Sequence, residues 1–396
     1  MTVVSTFTWL DHRDDDQQRV REALAAFDQP GIVDPLGFGV VRDAFSDALF
    51  PGVSTVQTRA RYFLLVPWAY RRLDLERVPP ARGRQRAREL EIATIEALRR
   101  GSADREGIIG QHSRATTQQL PSFIYWGGLG RWGIRGFAGT RQEYVATLDR
   151  RRHVDGAVEA AWPGLPDEPD GVFEETTLSL SVDEAEFLRD RAVRATRGTY
   201  LELLIRDGHR GLDGDEPWTH PLAAEAPETI QQQLHHARLF AYAVWGAGLL
   251  YNAELSRLRE ADGQSPLSVD YDARLAEWVE VVEGLTGELA AWDRDGLWSQ
   301  VESVNPRAIG SRGFVDWWLD RVVADPRRSV TDGEVRRRLR DREVQVKGAR
   351  AKLANRRARE RSPGPQGGDL MVFRWPQVRR IVADIHEGLE GDAQPA

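Results

Sequence analysis

The 396-residue chain carries a formal net charge of −7, with 41% hydrophobic residues, 29% charged residues and no cysteine. The missing cysteines exclude disulfides, thiolate metal sites and cysteine nucleophiles, and the acidic balance argues against wholesale coating of nucleic acid. No apolar run nears the roughly 20 residues a membrane span needs; the start, MTVVSTFTWLDHRDDD, lacks the basic region of a signal peptide, so a cytoplasmic location with no membrane partner is expected.

Residues 15–28 read as a short amphipathic helix with Val20, Leu24 and Phe27 on one face, and 36–50 as a second, with Val41, Phe45, Leu49 and Phe50 at helical spacing. A Pro51-Gly52 turn follows, then a polar segment containing Gln57, Thr58, Arg59 and Arg61 that runs directly into FLLVPW. Pro67 inside that apolar run predicts a kink or a helix end near Leu65. Residues 84–100 form a predicted helix with Gly101 just past its end. That helix, the short connector GIIG, residues 113–120 and the glycine-rich aromatic block PSFIYWGGLGRWGIRGF, ending at 137, together read as a helix-turn-helix or small winged unit. The Pro-, Gly- and acid-rich stretch AWPGLPDEPDG, residues 161–171, reads as a boundary.

Beyond it, Ser181 and Glu184 have the spacing of a capping box, which starts a helix at Val182. The pattern over 227–260 is apolar almost all round between Leu239 and Tyr251, as expected of a central helix. Residues 270–301 give a further long helix or helix pair, 333–361 a basic helix with a thin apolar stripe, and Pro376 sits where it opens a last helix. Only 176–181 and 371–375 alternate well enough to suggest strands. The fold class is therefore mainly α: a helical N-terminal domain over 1–160, a linker over 161–180, a helical bundle over 181–330 built around 227–260, and a basic helix with a C-terminal helix over 331–396.

Chemical signatures are thin. Gly128-Leu-Gly130-Arg-Trp-Gly133 matches G-x-G-x-x-G, but a bulky Trp132 inside the loop and the missing βαβ pattern favour a plain tight turn. Glu343-Val-Gln345-Val-Lys347 resembles the strand of a metal-dependent nuclease, against a helical apolar spacing and arginine-rich flanks. The adjacent His235 and His236 point about 100° apart on a helix and cannot chelate together. The oxygen-rich loop 207–216 reads as Asp-Gly turns sooner than as a cation site. No catalytic residue, metal ligand or cofactor is assigned.

The basic residues remain. Residues 57–100 hold eleven Arg against five acids, and 331–361 hold ten Arg and two Lys against five acids. Arg42, Gln57, Thr58, Arg59, Arg61, Arg131, Arg135, Lys347, Arg350 and Lys352 are the candidate nucleic-acid or anion contacts. The 57–61 cluster leads, because polar donors beside an apolar helix cost desolvation unless used. The competing reading pairs these cations with the acidic middle of the same chain.

FTWLD, RDAFSDALFPGVSTVQTRARYFLLVPW, SFIYWGGLGRWGIR, KGARAKLAN and FRWPQVRRIVADIHEGL resemble, over almost the full length, a bacterial family of unknown function. The resemblance implies a setting in phage-defence islands beside helicase-like and nuclease-like proteins. It leads to the expectation of a non-catalytic subunit that touches DNA or a helicase-like partner through its arginines. A divergent metal-dependent nuclease or nucleotide-binding protein and a pure protein scaffold are the alternatives.

Overall fold

The computed structural model describes residues 34–208, 214–361 and 364–391. The FTWLD block, the helix expected over 15–28, and residues 209–213 of the oxygen-rich loop lie outside these. Nineteen α-helices and no strand occur among the described residues, so the fold is all-α. The helices of eight residues or more are α1 (Gly39–Leu49), α2 (Tyr62–Leu75), α3 (Pro80–Gly101), α4 (Pro121–Arg131), α5 (Val182–Ala195), α6 (Tyr200–Asp207), α7 (Glu228–Ala261), α8 (Tyr271–Gly284), α9 (Arg294–Val304), α10 (Ile309–Ala324), α11 (Gly333–Lys347) and α12 (Trp375–Leu389). The chain divides into two compact units, one taking it up to Arg42 and Leu239–Met371, the other Asp43–Arg238 and Val372 onward. The Pro- and Gly-rich stretch 161–171 lies inside the second unit, where Trp162 and Leu165 are buried.

Local signals set several helix starts. At α5 the Ser181 hydroxyl accepts from Glu184 N at 3.3 Å and the Glu184 carboxylate accepts from Ser181 N at 3.1 Å, so two donors orphaned at the helix start are satisfied reciprocally. Proline opens both α3 and α12, where its fixed φ fits and its missing N–H costs nothing. Pro67 lies inside α2 and does not end it, so the helix end expected near Leu65 does not occur. Every residue from Tyr62 to Tyr70 is buried, and this packing outweighs the roughly 3 kcal/mol that an interior proline costs.

Neither expected strand forms. Phe373 and Arg374 have φ of +50° and +66°, which a strand does not tolerate, and they turn the chain into α12. Residues 176–181 have no neighbouring strand to pair with; Thr176 N donates to the Ala97 carbonyl at 3.2 Å and the Thr177 carbonyl accepts from Arg61 at 2.8 Å. The long basic helix expected over 333–361 is also interrupted. α11 stops at Lys347, Gly348 takes φ +55°, a short 3-10 turn follows, and helix returns only over Arg356–Arg361. The returning segment is held by Glu343, which accepts from Lys352 N and Leu353 N at 2.8 Å each and from the Tyr251 hydroxyl at 2.6 Å. Residues 270–301 likewise split into α8, a short helix over Thr286–Ala291 and α9, the last capped by Asp293.

In the first unit, the buried run of α7 from Leu239 onward receives two indoles, whose ring centroids lie 6.1 Å apart. Trp278 donates to the Tyr242 carbonyl and Trp318 to the Ala243 carbonyl, both at 2.8 Å. In the second unit, α2, α4 and the 141–162 region share an aromatic core in which Phe63 stacks on Trp132 with centroids 4.1 Å apart.

Candidate nucleic-acid interface

The 57–61 cluster is turned inward. Arg59 forms an ion pair with Asp384 of α12, Nη2 to Oδ1 at 2.9 Å, while Ala60 N donates to the same carboxylate at 2.8 Å. Burial pushes the Asp384 carboxyl up from its ordinary range, and the Arg59 guanidinium pulls it back down. Arg61 forms an ion pair with Glu184 at 2.8 Å and donates to Thr176 Oγ1 and the Thr177 carbonyl. Thr58 Oγ1 donates to the Gly107 carbonyl at 2.7 Å, and the buried Gln57 bridges Gly52 and Ser54. The Tyr125 hydroxyl accepts from Thr58 N and Arg59 N and donates to the Arg59 carbonyl. The polar donors beside α2 are therefore used, but by the chain itself: they tie α2 to α4, α5 and α12.

The glycine block is a helix end, not a phosphate loop. SFIYWGGLGR is helical, and Gly133 at φ +66° terminates it, with Ile134 N donating to the Leu129 carbonyl at 3.0 Å. No strand pair that could serve as a wing accompanies this region among the described residues. Arg135 lies over the Trp126 ring at 4.9 Å and donates to the carbonyls of Phe137 and Gly139. Arg131 points outward from α4 and is exposed; Arg42 is half-buried in the first turn of α1.

The third group, over 333–361, behaves differently. Arg342 is buried and donates to the Leu36 carbonyl, and Arg359 pairs with Asp262 at 2.6 Å. Lys352 is buried as well, and desolvation pushes its ammonium down to about 8. Arg337, Arg340, Lys347, Arg350, Arg357 and Arg361 have neither an ion pair nor a side-chain hydrogen bond among the described residues, and all but the half-buried Lys347 are exposed. Arg337, Arg340 and Lys347 fall within about 80° of one another around the α11 axis at about 100° per residue. Val344, 42% exposed, sits between them; Asp341 shares the face, and Glu334, 3.9 Å from Arg321, borders it. Beside them Arg338 covers the Trp317 ring at 4.4 Å.

Of the ten expected contacts, the half-buried Lys347 thus lies on the side of α11 that carries Arg337 and Arg340, and Arg350 is exposed on the short 3-10 turn that follows. Gln57, Thr58, Arg59 and Arg61 belong to an internal brace. Arg337 and Arg340 on α11, and Arg357 and Arg361 on the separate helix over Arg356–Arg361, are further exposed cations outside the ten expected contacts. Among the described residues no group of three or more His, Asp or Glu side chains comes together as a metal site, and no helix is long and apolar enough to cross a membrane.

These features define an all-helical protein with an outward basic face and an inward arginine brace. The chain belongs to DUF6361, a family of unknown function, whose model matches residues 4–388. No curated protein and no solved structure matches it.

Proposed function

We propose that the chain is a nucleic-acid-contacting subunit of a multi-protein phage-defence assembly, in which the 333–361 face meets the DNA phosphate backbone beside a helicase-like or nuclease-like partner. The defence setting is the one the resemblance of the sequence blocks implies. The DNA contact is supported by one observation: six basic side chains on one continuous segment lack an acidic partner, while most of the neighbouring cations are consumed internally. Leaving like charges together at a surface repels, and an anionic polymer relieves that repulsion while releasing its counterions.

The test is affinity for duplex DNA as a function of salt, comparing wild type with the triple variant Arg337→Ala/Arg340→Ala/Lys347→Ala. Three lost phosphate contacts flatten the slope of log K against log salt by about 3 and leave the helical circular dichroism unchanged. No binding at low salt, or a slope the triple variant leaves intact, overturns the DNA reading in favour of a protein scaffold.

A further inference from the structure

The cavity between the end of α2 and the start of α3 takes no part in the basic face and lies in the other unit, so what it binds does not depend on the DNA reading. It is an open cavity of about 240 Å³ whose lining includes three arginines, Arg77, Arg82 and Arg86, with Val78 and Pro79 between them in the chain. Two carboxylates also line it, and both are occupied. Glu76 accepts from Arg86 Nε and Nη2 at 2.8 Å each, and Glu89 accepts from Gln85 at 2.9 Å and from Arg86 Nη1 at 3.3 Å. The Arg86 pairing holds the Glu76 carboxyl below its ordinary range, so that acid stays ionised and fixed. Arg77 and Arg82 have no such partner: their guanidinium groups make no ion pair or hydrogen bond among the described residues. Three cations against two anions leave the lining with one net positive charge.

Arg77 also stands where the backbone does not favour it. Val78 N donates to the Leu73 carbonyl at 3.0 Å and Arg77 N to the Asp74 carbonyl at 3.1 Å, which places Arg77 at the left-handed closing position of α2 with φ +52°. Glycine is the residue that position normally takes. What arginine adds there is a guanidinium at the cavity. The surroundings are stiff: Arg152 donates to the Val78 carbonyl, and Arg151 pairs with the buried Asp74 at 3.1 Å. Pro79 and Pro80 supply no N–H, so recognition at this point of the cavity falls to side chains.

We infer that this cavity binds a phosphate group, with Arg77 and Arg82 as its ligating residues and Arg86 held in place by Glu76. Its volume falls below that of pockets for drug-sized ligands, which suits a phosphate or diphosphate and not an enclosed base. Planar guanidinium forks match phosphate oxygens two at a time. The group could arrive as a free ion or as the terminal phosphate of a larger molecule.

The experiment is thermal unfolding of the full chain at constant ionic strength, with millimolar inorganic phosphate or pyrophosphate replacing chloride, and with 5′-phosphorylated against 5′-hydroxyl oligonucleotides. Wild type is expected to rise by about 2–4 °C with at least one phosphate-bearing probe. A response to free phosphate or pyrophosphate assigns a free anion; a response confined to the phosphorylated oligonucleotide assigns a terminal phosphate. Arg77→Gly is expected to unfold at a higher temperature than wild type in chloride, through relief of the left-handed strain, yet to lose most of the phosphate response. Arg82→Ala loses it too, whereas Arg84→Ala, exposed and one residue beyond Gly83, keeps it. The inference is overturned if wild type responds to none of the probes, or if Arg77→Gly and Arg82→Ala both retain the full shift.

Discussion

At position 59 a guanidinium and at position 384 a carboxylate meet at 2.9 Å, with 11% and 1% of their side chains exposed. Taking both charges out of water costs several kcal/mol per ion, which the pair recovers only because Ala60 N also donates to the carboxylate and the geometry is close. Removing Arg59 leaves the buried Asp384 with Ala60 N and with Arg380, 3.4 Å away on the same helix. Arg59→Ala should therefore destabilise the second unit by about 1.5–3 kcal/mol, the worth of hydrogen bonds to a charged group, seen as a drop in the denaturant midpoint, while Arg59→Met/Asp384→Leu should recover a large part of the loss. If the single variant unfolds at the wild-type midpoint, the brace contributes little and Arg59 is free for another role. This position shows where sequence reading stops. A donor-rich stretch beside FLLVPW is visibly unusual, and desolvation requires only that its donors be used, not by what. Their acceptors lie more than 300 residues away for Arg59 and more than 100 for Arg61, beyond any local pattern.

Among the elements, α4 owes its position to a residue with no side chain. A Cβ on Gly128 would stand 2.5 Å from the Gly52 carbonyl oxygen, 2.8 Å from Gln57 Nε2 and 2.9 Å from Phe63 Cε1. The first of these is backbone of the Pro51-Gly52 turn and cannot move aside cheaply. Gly128→Ala should cost about 1–3 kcal/mol by overpacking, outweighing the roughly 1 kcal/mol that alanine gains inside a helix. Gly127→Ala, whose Cβ meets nothing within 4 Å, should instead stabilise α4. Opposite shifts of the thermal midpoint for these neighbours check the packing argument; equal shifts refute it. The same contrast explains which elements were legible. The Ser181 capping box and the Pro376 start are chemistry written within four residues, and both form. The course of α2 through Pro67 is decided by burial, and the break of α11 at Gly348 goes with the Glu343 acceptor, whose partners Lys352 N and Leu353 N are near in sequence but whose third partner, the Tyr251 hydroxyl, is 92 residues away. The tight turn expected at GxGxxG is instead the end of α4, with Gly128 and Gly130 helical and only Gly133 at a left-handed φ; the stacking of Trp132 on Phe63 lies outside any local pattern.

For the molecule as a whole, the net charge of −7 conceals how the cations are spent. Arg71 and Arg72 pair with Asp167 and Glu168 in one unit, and Arg327, Arg336 and Arg359 with Glu283, Glu254 and Asp262 in the other. Internal neutralisation is thus the rule, which gives the six unpaired cations between Arg337 and Arg361 and the Arg77–Arg82 cavity their weight. One buried acid also makes the stability of the fold pH-dependent in an uncommon direction. Glu91 of α3 sits beneath the start of α4, accepting from Ser122 N at 2.8 Å and Ser122 Oγ at 2.9 Å, with Arg141 donating to the same hydroxyl at 3.1 Å. Desolvation pushes its carboxyl from 4.5 up to about 7, against the pull of those hydrogen bonds and of Arg141 and Arg88. A folded-state value above the unfolded one means that the folded chain holds the proton more tightly. The resulting stabilisation is complete below about pH 4.5 and is lost as pH rises through about 7. The lost contribution is of the order of 3 kcal/mol. Wild type should therefore show a thermal midpoint that falls between pH 5 and pH 8. Glu91→Gln keeps an acceptor for Ser122 N and cannot ionise, so its midpoint should stay flatter across that window and exceed wild type at pH 8. A wild-type midpoint that rises over the same range, or a Glu91→Gln variant that tracks wild type in parallel, would show that the carboxylate is stabilised as an ion by Ser122 and Arg141 more strongly than burial opposes it.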